Sequence, residues 1–567
     1  MVARARETDV VVIGLGGMGG IAAHVLTRAG IRVVGLEAGP HRPASQMTFD
    51  EIRNDVREWM AEPKARHEVP TWRERESDVA GPSPWPMLMA NGVGGATVHY
   101  ECVSLRFHPW DFRPLSNIVE RYGAAAIPEG ATPADWPLDY DDLAPYYDAT
   151  ERALGVSGLA GRVRDSVQPG GDIFEAPRTR DYPMRPLRRS GWNELMQTAA
   201  EELGWHPFPA PAAINSEPRD GRGECTFCGF CRCNGCHVDA KGSTATTVIP
   251  RAEQTGLLAI ETDARVVAIE VGADGLAAGV RYVQGGVERF QSARVVLLAT
   301  FTYENTRLLL LSRSAAFPNG IANNGGQVGR NYMAHINAYA FGLFAGRNLN
   351  LFNGTMAQGV CVNDWNADHF DHTGLGFVGG GMLSAWGELK PIGVAAGRAV
   401  PPGVPRWGGA WKRWLAAHAR SVGGASSQFD SLPYETNHLD LDPVVRDPHG
   451  LPVVRVTHRV HENERRGGEF HAEKLQQWLR RAGATETWAV TDQVEGRHAY
   501  GGTRMGHDPQ TSVVDAFGMA HEVPNLGVLG ASVFPSAGGY NPTLTAQALS
   551  WRTAEHIVGN WGSVRER

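Results

Sequence analysis

Residues 9–37 read DVVVIGLGGMGGIAAHVLTRAGIRVVGLE, and this stretch decides the fold. Its apolar run from Val10 to Ile13 predicts a buried strand. The strand stops at three glycines spaced G-x-G-x-x-G, namely Gly14, Gly16 and Gly19. A helical stretch follows at once, and a second strand over residues 31–36 ends at the acidic Glu37. The whole stretch predicts a strand–helix–strand unit with a glycine-rich turn.

This unit is typical of a dinucleotide site. Gly14 permits the tight turn, Gly16 lets the backbone approach a pyrophosphate, and Gly19 lets the helix pack closely on the strand. The helix N-terminus offers free N–H groups to the phosphates. Glu37, 23 residues after Gly14, is placed to accept hydrogen bonds from ribose hydroxyls, which favours FAD or NAD over a 2′-phosphorylated nucleotide. A glycine triplet alone would indicate only a tight turn.

Composition excludes several other classes. A length of 567 residues exceeds one ordinary core and predicts two domains. The 54 basic and 61 acidic residues leave no basic surplus for nucleic acid. We find no apolar run of 18 or more residues, so no membrane span is predicted. Only seven residues precede Thr8, too few for a secretory signal, and a cytoplasmic location is expected.

Several segments together resemble the glucose-methanol-choline (GMC) oxidoreductases. They are the N-terminal unit, the glycine segment 92–95, and GASVFP at 530–535 followed by NPT at 541–543. Within that family, GGDIFEAPR at 170–178, CTFCGFC at 225–231 and FDHTGLGF at 370–377 resemble the flavoprotein subunit of gluconate 2-dehydrogenase. The resemblance implies FAD as cofactor and oxidation of an alcohol by proton abstraction and hydride transfer to flavin N5. Because we find one G-x-G-x-x-G site, electrons are expected to pass to a non-NAD acceptor.

The resemblance and the strand patterns predict an α/β fold, α+β overall. A Rossmann-like FAD-binding domain is joined to a substrate domain built on a mostly antiparallel sheet. Apolar residues 295–299 read as a parallel strand of the first sheet, and aromatic, partly alternating residues 335–495 as the second. The FAD-binding domain is assigned to residues 1–115, 225–334 and 496–567, with a lid and substrate-side excursion at 116–224 and the substrate domain at 335–495.

Two residues are implied as catalytic. His498 opens HAYGGTRMG, which resembles the GMC segment with the active-site histidine, and Asn541 stands where the family has a second His or Asn. We assign His498 as the base for the hydroxyl proton, because imidazole titrates near neutral pH. Asn541 is expected to bind the substrate oxygen. A structural role for His498 and a helix-capping role for Asn541 are the alternatives.

Further cofactor contacts are implied by the same resemblance. Pro542 and Thr543 would lie beside the flavin ring, and Ala531 near the pyrophosphate. The remaining expected contacts are Gly94, Gly95, Val266 and Ala299. The segment VHYEC at 98–102 resembles the pyranose oxidase segment whose histidine carries the flavin covalently. His99 is therefore expected either to form that bond or to pack against the ring edge.

Five of the seven cysteines lie within twelve residues: Cys225, Cys228, Cys231, Cys233 and Cys236. Without an export signal, disulfides are not expected. Zinc more often takes two separated C-x-x-C pairs. The spacing is nearer to a ferredoxin run and predicts an iron–sulfur cluster on Cys225, Cys228, Cys231 and Cys236. This cysteine segment differs from the ferredoxin run in three ways: its last spacer is one residue longer, no proline follows the last cysteine, and Cys233 is an additional cysteine.

The sequence thus predicts an FAD-dependent dehydrogenase of a sugar, sugar acid or glycoside, including an amino sugar of antibiotic assembly. The alternatives are an oxygen-using sugar oxidase resembling pyranose oxidase, and a non-catalytic flavoprotein electron relay. Either an electron-acceptor protein or oxygen would take the electrons. A polar and aromatic group either lines the substrate cavity or forms a surface loop: Trp365, Asn366, Asp368, His369 and His372.

Overall fold

The computed structural model describes residues 3–4, 7–62, 64, 69–85, 87 and 89–566. Within them, the first sheet has eight strands. Six lie side by side in the order Ala264–Val271, Ala277–Gln284, Val287–Leu298, Thr8–Ile13, Val33–Leu36 and Leu258–Glu261. Two more, Ala3–Arg4 and Leu526–Val528, also pair with Val287–Leu298.

The strand Thr8–Ile13 lies inside this sheet, parallel to both of its neighbours. Val10, Val11 and Val12 are 0% exposed, as expected for a parallel strand that is covered on both faces. The helices Gly17–Arg28 and Thr543–Gly559 pack against each other on one side of it. This is the predicted Rossmann-like unit.

The strand Val287–Leu298 is longer than residues 293–299, which the sequence predicted. Its first half pairs antiparallel with Ala277–Gln284, and its second half pairs parallel with Thr8–Ile13. Only the second half is covered on both faces, and only that half has the uninterrupted apolar pattern by which it was recognised.

Every pairing in the second sheet is antiparallel. Its strands follow in the order Glu486–Tyr500, Met333–Leu343, Val422–Phe429, Gly381–Trp386, Val360–Val362 and Pro207–Pro209. One face is apolar and packs on the helices Gly191–Glu202 and Glu462–Arg481. The edge strand Pro207–Pro209 was not predicted, because prolines disfavour strands and are tolerated only where no ladder hydrogen bond is lost.

The predicted fold class, a Rossmann-like domain with an antiparallel second sheet, is confirmed. A third sheet consists of the strands His438–Arg446, Pro452–Thr457, Thr71–Arg73 and Gly81–Pro82. A separate two-stranded ribbon consists of Arg162–Val163 and Ser166–Val167. The other α-helices are Pro114–Tyr122, Tyr140–Leu154, Val248–Glu253, Thr302–Leu311, Pro391–Ala396, Gly408–His418 and Trp561–Glu566. None of the helices among the described residues is both long and apolar enough to cross a membrane.

A buried ionic network fixes the helix Tyr140–Leu154 to two loops. Glu151 is 1% exposed and accepts hydrogen bonds from two of the three guanidinium nitrogens of Arg106, Nε at 2.8 Å and Nη2 at 2.7 Å. Arg178 also binds Glu151, and it donates to Glu175. Burial raises and the two arginines lower the pKa of Glu151, with a net decrease. A carboxylate shared by two buried guanidinium groups makes both loops depend on one side chain.

We predict that Glu151→Gln lowers the free energy of unfolding by about 3 to 5 kcal/mol, because it leaves two buried guanidinium groups without their counter-charge. Denaturant unfolding followed by circular dichroism measures the loss. Arg152→Ala on the same helix is the control. Its partner Asp148 lies near the surface, so the expected loss is about 0.5 kcal/mol. Equal losses for the two variants would contradict a special role for the buried network.

Candidate active site

A cavity opens at the carboxyl end of the strand Thr8–Ile13. Its empty volume, which includes solvent space at the open mouth, is about 1000 Å³. Six of the predicted cofactor residues line it: Gly14, Gly16, Glu37, Gly95, Val266 and Ala299. Gly19 lies behind the cavity, in the packing position expected for it, where an added Cβ would lie 1.9 Å from the Gly14 carbonyl oxygen.

Backbone from three distant segments meets at this cavity without intervening side chains. A Cβ on Gly95 would lie 2.8 Å from the Cα of Gly16. A Cβ on Gly14 would lie 2.8 Å from the carbonyl oxygen of Ala299. The Gly94 N–H donates to the carbonyl of Leu15 at 2.7 Å and ties two of these loops together. Bare backbone of this kind can approach a pyrophosphate closely.

Glu37 joins the same loops from the side. Its carboxylate accepts hydrogen bonds from the N–H groups of Leu15, Gly39 and Gly92, at 3.0, 2.9 and 2.9 Å. Burial raises its pKa, and these donors oppose the shift. Two carboxylate oxygens have about four acceptor positions, so one remains for a ribose hydroxyl.

Ionic side chains line the far end of the cavity, and the sequence analysis did not find them. Arg307 donates to Asp447 at 2.7 Å and to Glu304 at 3.2 Å, and Lys64 lies 3.7 Å from Glu304. Burial raises the pKa of Glu304, but Lys64 and then Arg307 lower it more strongly, to about 2. The residues carry no motif, because they come from segments far apart in the chain.

The predicted catalytic residues lie together in the fold. Asn541 Nδ2 is 3.4 Å from His498 Nε2, although 43 residues separate them. The helix behind Asn541 begins at Thr543, with Pro542 as its N-cap and no side-chain cap. The alternative role of Asn541 as a helix cap is therefore not observed. Its buried Oδ1 accepts no hydrogen bond from the described residues, so the side chain is available to a ligand.

A third residue, His335, orients His498. His335 Nε2 is 2.7 Å from the carbonyl oxygen of Gly538, which can only accept, so Nε2 carries the proton. The Tyr500 hydroxyl, also 2.7 Å from Nε2, donates to the Tyr540 carbonyl and is a second acceptor for this N–H. His335 Nδ1 is 3.0 Å from His498 Nδ1 and accepts a hydrogen bond from it. The proton of that bond stays on His498 Nδ1. His498 Nε2 then has its lone pair on the side of Asn541, whose Nδ2 donates to it over a long 3.4 Å. The hydrogen bonds thus select the tautomer that can accept a hydroxyl proton.

Both histidines are neutral at pH 7. Burial, and then His498, lowers the pKa of His335 to about 3. Burial, and then Arg497, lowers the pKa of His498 to about 4. A neutral imidazole is the form that acts as a base, so His498 is ready to accept a proton at any pH above its pKa.

The loop that carries Asn541 is held by its own backbone and by Tyr540. The Gly539 carbonyl accepts from Met382 N–H at 3.2 Å, and the Tyr540 hydroxyl hydrogen-bonds His108 Nε2 at 2.5 Å. Of the polar and aromatic group at 365–372, Asn366 lies buried against Gly539, while His369 hydrogen-bonds His108 at 3.1 Å. This part of the group therefore supports the loop from behind.

The other predicted cofactor residues do not line the cavity. Ala531 is buried, and its carbonyl accepts from Gly501 N–H at 3.1 Å. Pro542 and Thr543 begin the last long helix, beside Asn541. His99 is buried, and its Nε2 accepts from Ala90 N–H at 3.2 Å. A covalent bond to flavin would have to use Nδ1 or displace this contact.

The cysteine segment does not form a recognisable metal site. Among the described residues, no group of three or more His, Cys, Asp or Glu side chains is placed to hold a metal ion. Burial raises the pKa of Cys225 to about 11, so its thiol is protonated. The buried Lys241 ammonium holds the segment, donating to the carbonyls of Tyr100, Cys231 and Asn234 at 2.8, 2.9 and 2.9 Å. The predicted iron–sulfur cluster has no support in this geometry.

The fold and the site define a two-domain flavin-dependent oxidoreductase. The glycine cradle, the acidic Glu37 and the cavity fit FAD, and the histidine–asparagine pair lies where the second sheet meets the first domain. Family models for GMC oxidoreductases match residues 135–337 and 433–550. The chain belongs to the GMC oxidoreductases, FAD-dependent enzymes that act on alcohol groups.

Three curated relatives span nearly the whole chain. Gluconate 2-dehydrogenase flavoprotein of Pantoea cypripedii is 33% identical and covers 97% of this chain and 94% of its own. 2-Methyl-1,2-propanediol dehydrogenase of Mycolicibacterium austroafricanum is 30% identical, and the match covers 100% of this chain and 97% of that protein. 6‴-Hydroxyparomomycin C oxidase of Streptomyces lividus is 28% identical, with coverages of 99% and 93%. The likeness to the gluconate enzyme that the sequence motifs indicated is confirmed.

Among solved structures, pyridoxine 4-oxidase from Mesorbium loti superposes with a TM-score of 0.59 at 16% identity, covering 97% of this chain and 99% of its own. This likeness extends over both domains and supports the fold.

We predict that Gly16→Val yields protein with little bound FAD, because the added side chain enters the space between the glycine loops. The flavin absorbance per protein of the purified variant measures this. Gly191→Ala is the control, since a Cβ there meets no atom within 4 Å. A Gly16→Val protein that retains full flavin content would show that the cofactor does not use this cradle.

We predict that His335→Leu lowers kcat roughly 10- to 100-fold with little change in KM, because His498 loses the acceptor that fixes its tautomer. His335→Gln should retain most of the activity, since an amide can donate to Gly538 and accept from His498. Anaerobic stopped-flow reduction of the flavin measures both variants. Equal losses in the two would indicate a packing role for His335 instead.

Proposed function

We propose that this protein oxidises an alcohol group of a sugar, sugar acid or glycoside, with His498 as the base and Asn541 as the partner of the substrate oxygen. The observation that carries the proposal is the lone pair that the hydrogen bonds of His335 leave on His498 Nε2, beside an Asn541 whose amide has an unused acceptor. An alcohol placed between them would meet a base and a hydrogen-bonding amide together.

The side chains support a simple sequence of events. FAD, when bound, supplies the acceptor for the hydride. His498 Nε2 takes the hydroxyl proton, and the alkoxide that forms expels hydride far more readily than the alcohol does. Asn541 Nδ2 donates to the developing oxyanion, as fixed donors in a dry site do. His335 accepts from His498 Nδ1 throughout, so the imidazolium formed at His498 keeps its orientation.

Several parts of the proposal rest on sequence only. The electron acceptor is proposed to be a protein or an artificial dye, with oxygen as the alternative. The iron–sulfur cluster, the covalent bond at His99 and the cytoplasmic location stay predictions, and no step above depends on them. An amino sugar is included among the substrates because one relative is named for an aminoglycoside. The domain boundaries given above are proposed as well.

The test is anaerobic reduction of the flavin, followed by absorbance, with D-gluconate, D-glucose, methyl glucoside, D-glucosamine and 2-methyl-1,2-propanediol. We expect at least one of the four polyols to reduce the wild-type enzyme. His498→Asn should slow that reduction about 10²- to 10⁴-fold, as loss of a general base does, with flavin content unchanged. Because the reactive form of His498 is neutral and its pKa is lowered to about 4, the wild-type rate should fall only on acidification towards that pH.

Each outcome separates two readings. Reduction by the diol alone would overturn the sugar assignment and leave alcohol oxidation standing. Reduction that is equally fast in His498→Asn would favour the electron-relay reading. Stoichiometric peroxide on reoxidation in air would identify oxygen as the acceptor, and a count of iron and acid-labile sulfide in anaerobically purified protein would decide the cluster.

A further inference from the structure

The face of the second sheet opposite its helix-packed one is polar near His335 and apolar further along, where Phe341 and Leu343 pack in a separate cluster. Side chains on a strand alternate between faces, so His335, Asn337 and Tyr339 share a face. Asn337 pairs with Gln428 on the next strand, and Tyr339 pairs with Ser426. We call Asn337, Tyr339, Ser426 and Gln428 the polar face.

The polar face is open in the middle of the sheet. The strand Val422–Phe429 lies between Met333–Leu343 and Gly381–Trp386. Gln428 and Ser426 on it are nevertheless partly exposed, while Ser427 and Phe429, which point the other way, are 0% exposed. Side chains in a central strand stay exposed only where no element covers that face.

Two acceptors on this face are unused. Asn337 is 5% exposed, and its Nδ2 donates to the Tyr339 hydroxyl at 3.0 Å. Its buried Oδ1 accepts nothing from the described residues, and neither does the buried Oε1 of Gln428 beside it. Unpaired buried acceptors are costly, so a pair of neighbours of this kind indicates a ligand that donates hydrogen bonds.

Both acceptors lie close to the catalytic groups. Asn337 is two residues from His335, or about 7 Å along the strand, and His335 binds His498. Gln428 lies between Asn337 and Met382, and Met382 N–H donates to the Gly539 carbonyl in the loop that carries Asn541. Asn337 therefore lies on the strand that carries His335, and Gln428 lies on the strand between it and the one that contacts the catalytic loop.

We propose that Asn337 and Gln428 accept hydrogen bonds from hydroxyl groups of the substrate that are not oxidised, and so select a polyhydroxylated substrate over a simple alcohol. This inference deepens the proposed function and rests on it. Hydroxyl groups two or more carbons beyond the reacting carbon would satisfy both acceptors, whereas a small alcohol, or a diol whose second hydroxyl is on the adjacent carbon, would leave them unpaired. Sites that bind hydroxyl groups discriminate strongly for this reason.

The test uses Gln428→Met and, separately, Asn337→Leu in the FAD-loaded enzyme, since each keeps the approximate shape and removes the acceptor. Anaerobic flavin reduction gives the apparent Kd and limiting rate for the polyol that best reduces the wild type, and for 2-methyl-1,2-propanediol. We expect either variant to raise the Kd for the polyol about 5- to 20-fold, with the limiting rate and the Kd for the diol nearly unchanged.

Ser427→Ala is the matched control, because it removes a buried hydroxyl from the other face of the same strand. It should leave the ratio of the two Kd values as in the wild type. Equal increases for polyol and diol in Gln428→Met, or no increase for the polyol in either variant, would overturn the inference and leave the proposed function intact. Failure of every polyol to reduce the wild-type flavin would overturn both.

Discussion

The close approach of bare backbone at Gly16 and Gly95 is the constraint on which the rest of the structure depends. These residues are 79 positions apart, and their loops approach so closely that a Cβ on Gly95 would lie 2.8 Å from Gly16 Cα. The carboxylate of Glu37 then ties both loops with three backbone hydrogen bonds. The glycine loops thus meet at the end of the strand Thr8–Ile13, where the helix Gly17–Arg28 begins and the cavity opens.

A second constraint joins the two domains. His335 belongs to the second sheet, yet its Nε2 donates to the Gly538 carbonyl at 2.7 Å in the loop that precedes the last long helix. The Tyr500 hydroxyl lies 3.2 Å from the Tyr540 carbonyl, which adds a further link to this loop. The base, its positioning residue and Asn541 are therefore fixed by one network, and the relative placement of the two domains determines the geometry of the catalytic site.

The sequence predicted the parts of this arrangement that local chemistry dictates. The glycine spacing after an apolar strand predicts a dinucleotide site, because the turn, the start of the helix and the second strand all lie within about 30 residues. The alternation of apolar and polar residues predicted that the second sheet is antiparallel. It did not predict the edge strand Pro207–Pro209, because prolines in a sequence argue against a strand. His335, Gln428 and Arg307 could not be found in the same way. Their significance comes from contacts with residues about 90 to 200 positions away in the chain, and no local pattern encodes such contacts.

The cysteine segment is a local pattern that indicates more than the described geometry supports. Five cysteines in twelve residues suggest a cluster by spacing, but a cluster also needs its ligands grouped around one point. No group of three or more His, Cys, Asp or Glu side chains among the described residues is placed to hold a metal ion, and the ammonium of Lys241 is directed at three backbone carbonyls. The catalytic site shows the contrast. There burial keeps the two histidines neutral, as a base requires, and their hydrogen bonds run in one direction, from His498 through His335 to Gly538. The Gly538 carbonyl, which can only accept, thus sets the proton positions of both rings and, through them, the nitrogen of His498 on the side of Asn541.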